Sequence, residues 1–471
     1  MRRLLIETSA YLSSLVRTTS RAWNRFFFTP ADPTSLGLIR ILVGALAFWS
    51  LLVYGLDLPD FLGSNAWANP DAVQRVQGTR LPYAWSFWFH VPESLLRPVW
   101  LLSLATLALF VVGLFSRVTA VLAWVIVVST VRRVPVSLFG FDQVVSTLLL
   151  YLAFTGAGGQ ALSFDRFFQR WRTNRVAWSR RRRDGHVPLT SGLPSPTVSA
   201  NLALRLIQLH ICLIYAMAGL AKLQGPAWWN GMALWGTFAS AEFRVIDFTW
   251  LAMYPWLLNA LTHASLAIEI SYPVLIWVRV LRPLMLALIV ALHLGIGLSA
   301  PGLLVFSLAM LAGNLAFVSG PWLRSLVTGL DSPARPNRVL YDGACPRCRA
   351  SMAFILAADP ATVVQPVDLT SVDVSTIQPT LTRDACQKAM HLVRPDGRVF
   401  AGYDAILALG RALPLFWPFS LVGSLPGITS AGRLVYNQVA ATRLQDVPCT
   451  DDVCGIHPPV DKSQVKQSQT T

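Results

Sequence analysis

Charge is scarce in this sequence, and negative charge scarcer. Only 13% of the 471 residues are charged against 54% hydrophobic, and the mean hydropathy is +0.50. That balance excludes an ordinary soluble domain and makes the chain an expected integral membrane protein. The 24 acidic residues face 39 basic ones, for a formal net charge of +15. In a soluble protein such an excess would suggest nucleic acid. Here the arginines cluster beside apolar spans, as in loops facing anionic lipid, and nucleic acid is excluded as a partner. A cleavable leader is missing too: Glu7 and Arg17 interrupt any apolar core, and no small-residue cleavage site follows. Leu5, Leu12, Leu15, Val16 and Trp23 instead make residues 1–30 an amphipathic segment on the membrane surface, with Arg2, Arg3, Arg17, Arg21 and Arg25 toward the headgroups.

Residues 31–320 hold about eight apolar stretches, at 38–56, 98–115, 118–131, 144–157, 202–223, 256–278, 283–300 and 303–318. Their lengths predict a multi-span α-helical bundle. Between the fourth and fifth lie eight arginines, from Arg166 to Arg183, and a Pro/Ser/Gly-rich connector, a loop that belongs on the cytoplasmic side. Eight spans put both termini inside a bacterial inner (plasma) membrane. Arg117, Arg279 and Arg282 agree with this orientation, whereas Arg132 and Arg133 fall on the outer side against the rule.

The fifth stretch carries a polar stripe. Gln208, Tyr215 and Lys222 are seven residues apart, so a helix stacks them along one face, with Ala218 and Gly219 leaving room beside them. Lys222 then meets Trp228 and Trp229. One reading is a lysine snorkelling to the headgroups inside an aromatic belt. The other is a catalytic base, an amine held partly out of water and so disposed to take a proton. His263 and Glu269 lie in the sixth stretch and His293 in the seventh. A carboxylate there costs about 2.5 to 3.5 kcal/mol unless compensated, and pairing with Lys222, another interhelical hydrogen bond or a neutral acid would each serve. For His210 and His293 a ring bonded to a neighbouring helix is expected.

Preceded by Leu162, Ser163, Phe164 and Asp165, the run from Tyr215 through Ala218, Gly219, Leu220, Ala221 and Lys222 to Trp229, Asn230 and Gly231 resembles the horizontally transferred transmembrane (HTTM) domain. That family includes the vitamin K-dependent gamma-carboxylase and its bacterial relatives. The resemblance implies a quinone-type cofactor near Lys222, with Gln208, Tyr215, Trp228, Trp229, His263 and Glu269 as its expected surroundings. Where the carboxylase has an essential histidine, this chain reads Gly140, Phe141, Asp142, Gln143. The resemblance therefore carries over quinone or lipid binding rather than carboxylation.

After residue 320 the character changes. Residues 321–337 read as a linker, 338–448 as a second domain and 449–471 as a tail. Strands are predicted at 338–341 and 362–367, helices at 349–358 and 403–413, and a hairpin of 390–394 with 398–401 about Pro395-Asp396-Gly397. This order is that of an α/β thioredoxin-like fold. Cys345 and Cys348 fall where the first helix begins, so free amides, the dipole and Arg347 and Arg349 favour the Cys345 thiolate. Cys348 is placed to resolve a mixed disulfide. The competing reading is half of a zinc site completed by Cys449, Cys454 and His457; Cys212 and Cys386 read as buried thiols.

Tyr341-Asp342-Gly343-Ala344-Cys345-Pro346-Arg347-Cys348, with the hairpin, Gly402, Asp404-Ala405, Leu413-Pro414 and the run from Gly432 to Arg443, resembles the DCC family of thiol-disulfide oxidoreductases. The resemblance makes Asp342, Cys345 and Cys348 the family motif and implies a protein disulfide or peptide as substrate. No proline precedes the hairpin strand at Met390, where thioredoxins use one to shape the substrate groove. Together these readings describe a polytopic redox enzyme in contact with membrane lipid, its thiol domain cytoplasmic. The alternative is a maturation or export factor that binds a lipid or peptide and carries a thiol-sensing domain.

Overall fold

The computed structural model describes residues 2–77, 85–184, 192–239, 246–328, 336–343, 345–369 and 371–445. The tail with Cys449, Cys454 and His457 lies outside them. The chain forms two compact units, Met1–Arg166 with Pro194–Leu323, and Phe167–Leu193 with Arg324–Thr471.

The first unit is helical: α1 (Arg2–Phe28), α2 (Thr34–Tyr54), α3 (Glu93–Val112), α4 (Ser116–Arg133), α5 (Gly140–Thr155), then, after α6 (Phe164–Asp184), α7 (Val198–Lys222), α8 (Pro255–Leu275), α9 (Arg282–Ser299) and α10 (Leu304–Asn314). Every apolar stretch read from the sequence is helical here. Among the described residues, four helices are long and apolar enough to cross a membrane: Thr34–Leu62, Glu93–Val112, Val198–Lys222 and Arg282–Ser299. Counting each of two helix pairs bent by 117° as one span, Leu304–Phe317 with Gly320–Leu326 here and Gly402–Ala412 with Pro414–Gly423 in the second unit, raises the number to as many as six. α4 falls short because Arg117, Arg132 and Arg133 are within it, and α8 because it carries Asn259, His263 and Glu269. Leu12, Leu15, Val16 and Trp23 stand exposed on α1, as an amphipathic surface helix requires.

Buried cations tie this unit together. Arg40, fully buried, donates to the carbonyls of Gly158 (2.9 Å), Val111 (3.2 Å) and Leu162 (2.6 Å). Arg133, the apparent exception to the charge rule, is fully buried as well and donates to Ala68 O at 2.8 Å and Gly63 O at 2.7 Å. Its charge serves backbone carbonyls rather than orientation. Asp165 accepts from the amides of Phe115 (2.9 Å) and Ser116 (2.7 Å), placing a carboxylate at the positive end of α4. Gly219 lets α7 and α8 approach: a Cβ there would sit 2.8 Å from Cγ1 of Ile270.

The second unit is built on a four-stranded sheet of order β2-β1-β3-β4. β1 (Asn337–Tyr341) leads into α11 (Pro346–Ala357), which crosses to β2 (Val364–Asp368), parallel to β1. After α12 (Arg383–Lys388) come β3 (His391–Val393), antiparallel to β1, and β4 (Val399–Ala401). The hairpin turns at Gly397, whose φ of +82° only glycine adopts readily. α13 (Gly402–Ala412), α14 (Trp417–Gly423) and α15 (Pro426–Gln445) follow. Strand, helix, strand, hairpin and helix thus come in the predicted order. Val339 and Leu392 from the sheet pack with Met352, Ala405, Ala408 and Leu409 in the core.

Candidate functional site

In the helical unit the polar stripe of α7 is fully engaged. Gln208 donates to Ala316 O (2.7 Å), and Tyr215 Oη lies 2.8 Å from His293 Nε2. Asn314 donates to Tyr215 Oη (3.2 Å) and accepts from Tyr272 Oη (2.5 Å). Lys222 Nζ meets Glu269 Oε2 at 2.5 Å, with side-chain exposures of 25% and 9%, and lies 5.2 Å from the Trp228 ring. Trp229 Nε1 donates to Leu223 O (2.8 Å), and its carbonyl lies 3.3 Å from the exposed His263 ring. His210 pairs with Tyr151 of α5 at 3.1 Å. Asn314 and Tyr272 were missed in the sequence; a lone amide in an apolar run was the signal for the first.

The thiol site begins with a turn that only one residue fits. Gly343 donates its amide to Asp368 Oδ1 (3.1 Å), and a Cβ there would lie 2.1 Å from the same carboxylate. Arg349 holds the Gly343 carbonyl at 2.7 Å. The next described residue, Cys345, is the N-cap of α11, with Pro346 in the first turn. Its sulfur accepts from the Cys348 amide at 3.4 Å, the place a capping serine or aspartate oxygen would take.

The surroundings favour the thiolate there. A hydrogen bond from the Cys348 side chain and the amides of Cys348 and Arg347 lower Cys345 from its ordinary value to about 6, against opposition from burial and the Asp342 charge. Cys386, on α12, lacks that company, and burial pushes its thiol up. Both cysteines of the pair are thiols outside any disulfide and are buried, 3% and 7% exposed.

Residues far away in sequence brace this site. From α6, Arg170 donates to Leu356 O and to Asp359 O (2.8 Å), the carbonyl end of α11. Asn174 donates to Ala353 O at 3.5 Å. The Asp359 carboxylate in turn accepts from the amides of Ala361, Val363 and Val364 at 2.8–3.2 Å. The arginine run thus includes a cap for the cysteine-bearing helix. Arg170→Ala is expected to destabilise this unit by about 2–3 kcal/mol, the range for hydrogen bonds to a charged donor. Denaturant-dependent alkylation of the buried Cys386 reads this directly, and an unchanged midpoint would remove Arg170 from the account.

Beside Cys348 opens a cavity of 690 Å³, walled mainly by apolar side chains from α6, α11, α13 and α15, with Asp342 and Arg347 among its lining. Two thiols stand together at the start of a helix that follows a strand, with the Cys345 pKa lowered, an arrangement suited to thiol-disulfide exchange. Residues 339–446 match the family model for DCC1-like thiol-disulfide oxidoreductases. No family matches the helical unit, and no curated protein or solved structure matches the chain.

Proposed function

We propose that this protein is a membrane-bound thiol-disulfide oxidoreductase whose nucleophile is Cys345. In the reducing direction the Cys345 thiolate attacks a substrate disulfide, forming a mixed disulfide and releasing one substrate thiolate. Cys348 then attacks the Cys345 sulfur, closing the intramolecular disulfide and releasing the second thiolate. Two electrons pass to the substrate, and the reverse sequence oxidises a dithiol. The observation that carries this reading is the Cys345 sulfur at the N-cap of α11, held by the Cys348 amide. The sequence order and the family match support a thioredoxin-like reading of the small sheet.

Alkylation of the reduced protein tests the nucleophile. The Cys345 rate should rise with pH through about 6 and level off, while Cys386 still gains reactivity above the ordinary thiol range near 8.5. A Cys345 profile centred near 8.5 would sink the reading.

The reading extends to the membrane. Residues 167–193 and 324–471 share one compact unit, which is compatible with an even number of crossings between them, such as the four that an eight-span count assigns to α7, α8, α9 and α10. The arginine-rich α6 favours the cytoplasmic side for that unit. In the helical unit the reading includes a quinone or other lipid at Lys222. The residues fit one: Lys222 gives one N–H to Glu269 and has further donors for a carbonyl, while Trp228 offers a ring face. When bound, a quinone would supply two-electron carbonyl redox chemistry.

A further inference from the structure

The cavity beside Cys348 exceeds what one inserted side chain needs and falls within the 300–1,000 Å³ range of small-molecule sites. Its walls include Trp171, Phe354, Leu409, Phe416 and Val439. Among its polar neighbours, the Tyr436 hydroxyl is already engaged by the Met390 amide at 2.9 Å. Apart from Asp342 and Arg347 the lining is mainly apolar, so a body carrying charged or amide groups over most of its surface would give up much of its hydration here. The two sulfurs, 3% and 7% exposed, do not stand on an open face where the disulfide of a folded protein can be laid alongside. Nor is the Met390 amide, at the entry to the hairpin, free to pair with an extended peptide. Trp171 comes from α6, outside the matched residues 339–446, so this wall is an addition of the present chain to the matched domain.

We infer that the substrate of the dithiol is a disulfide carried on a compact, uncharged, apolar small molecule whose body occupies this cavity. The inference rests on the oxidoreductase reading. Cys348 lines the cavity and its amide touches the Cys345 sulfur, so a ligand seated there lies against the residue that holds the nucleophile. Attack by Cys345 breaks that bond, and closure of the Cys345–Cys348 disulfide releases the second half. The sum is one protein dithiol and one apolar disulfide giving one protein disulfide and two apolar thiols.

The test uses the full chain in detergent, pre-reduced, with neutral dithiodipyridine, doubly anionic dithiobisnitrobenzoate and glutathione disulfide. Each rate is divided by the rate of free cysteine with the same reagent, which removes differences in leaving group and leaves the contribution of the site. The neutral aromatic disulfide should be favoured on the order of 10- to 100-fold over both charged ones, the range an apolar pocket discriminates. Ala350→Trp, an exposed position on the cavity lining, should erase most of that preference by bringing the normalised rate with the neutral disulfide down toward those of the charged ones. Normalised rates that are equal for the three reagents, or a preference untouched by Ala350→Trp in a protein whose Cys386 remains protected, would overturn the inference and leave the oxidoreductase standing. Failure to reduce any of the three would overturn the oxidoreductase itself.

Discussion

Cys345→Ser is expected to bring disulfide reduction down to the uncatalysed background, and Cys348→Ser to stop the reaction one step later with half the substrate attached. The asymmetry follows from the N-cap. Only Cys345 places its sulfur against the amide of Cys348 and the start of α11. At pH 7 a thiol lowered to about 6 is roughly nine-tenths thiolate, whereas one near 8.5 is only about 3% ionised. That roughly thirtyfold gain is not all realised in attack, because nucleophilicity falls with a slope of about 0.4–0.5 per unit, about tenfold or more over this range. An advantage of about two- to threefold remains. The low pKa helps more in the reverse, oxidising direction, where the substrate's second thiol attacks the substrate sulfur of the mixed disulfide and Cys345 is the better leaving group. In Cys348→Ser the resolving sulfur is gone but a hydroxyl donor stays, so Cys345 should keep its reactivity and accumulate as a mixed disulfide. Intact-mass measurement after exposure to an excess of disulfide reads both variants. Turnover by Cys345→Ser, or a Cys348→Ser protein that never acquires the added mass, would reverse the assignment.

The elements of the thiol domain were legible because each is announced locally. The short apolar run Val339-Leu340-Tyr341 gives β1, Pro395-Asp396-Gly397 gives the hairpin turn, and a cysteine pair before Arg349 gives the start of α11. What was not legible is nonlocal. Arg170 and Asn174 lie in a run that reads as a solvated, topology-setting loop, yet they donate to carbonyls at 353–359, and no periodicity links positions so distant in sequence. Asp368 shaping the turn at Gly343 is hidden for the same reason. In the helical unit, spacing placed Gln208, Tyr215 and Lys222 on one face, but the partner of each is on another segment. Arg133 shows the limit of a charge rule, since composition cannot distinguish an arginine facing headgroups from one clamping carbonyls.

Glu269→Ala should cost about 3–5 kcal/mol, the usual consequence of leaving one member of a buried ion pair without its partner. Lys222→Met should cost a similar amount, now by stranding the carboxylate. The pair is close because Gly219 allows α7 to lie against Ile270 of α8, bringing Nζ to 2.5 Å from Oε2. Its contribution is therefore mutual rather than a sum of two residues. The double variant Lys222→Met/Glu269→Ala removes both charges and should recover most of the electrostatic part of either loss, a coupling of about 2 kcal/mol or more in the cycle. Denaturant unfolding in detergent measures it, and additive losses would mean that the contact contributes nothing. The same proteins separate a structural pair from a lipid site. If Lys222 holds the carbonyl of a quinone or other lipid, mass spectrometry of co-purifying lipids should show that ligand in the wild type and its loss from the double variant, although stability has returned. A pair that only joins α7 to α8 would leave the lipid content of wild type and double variant alike, because stability alone would then decide what the bundle retains.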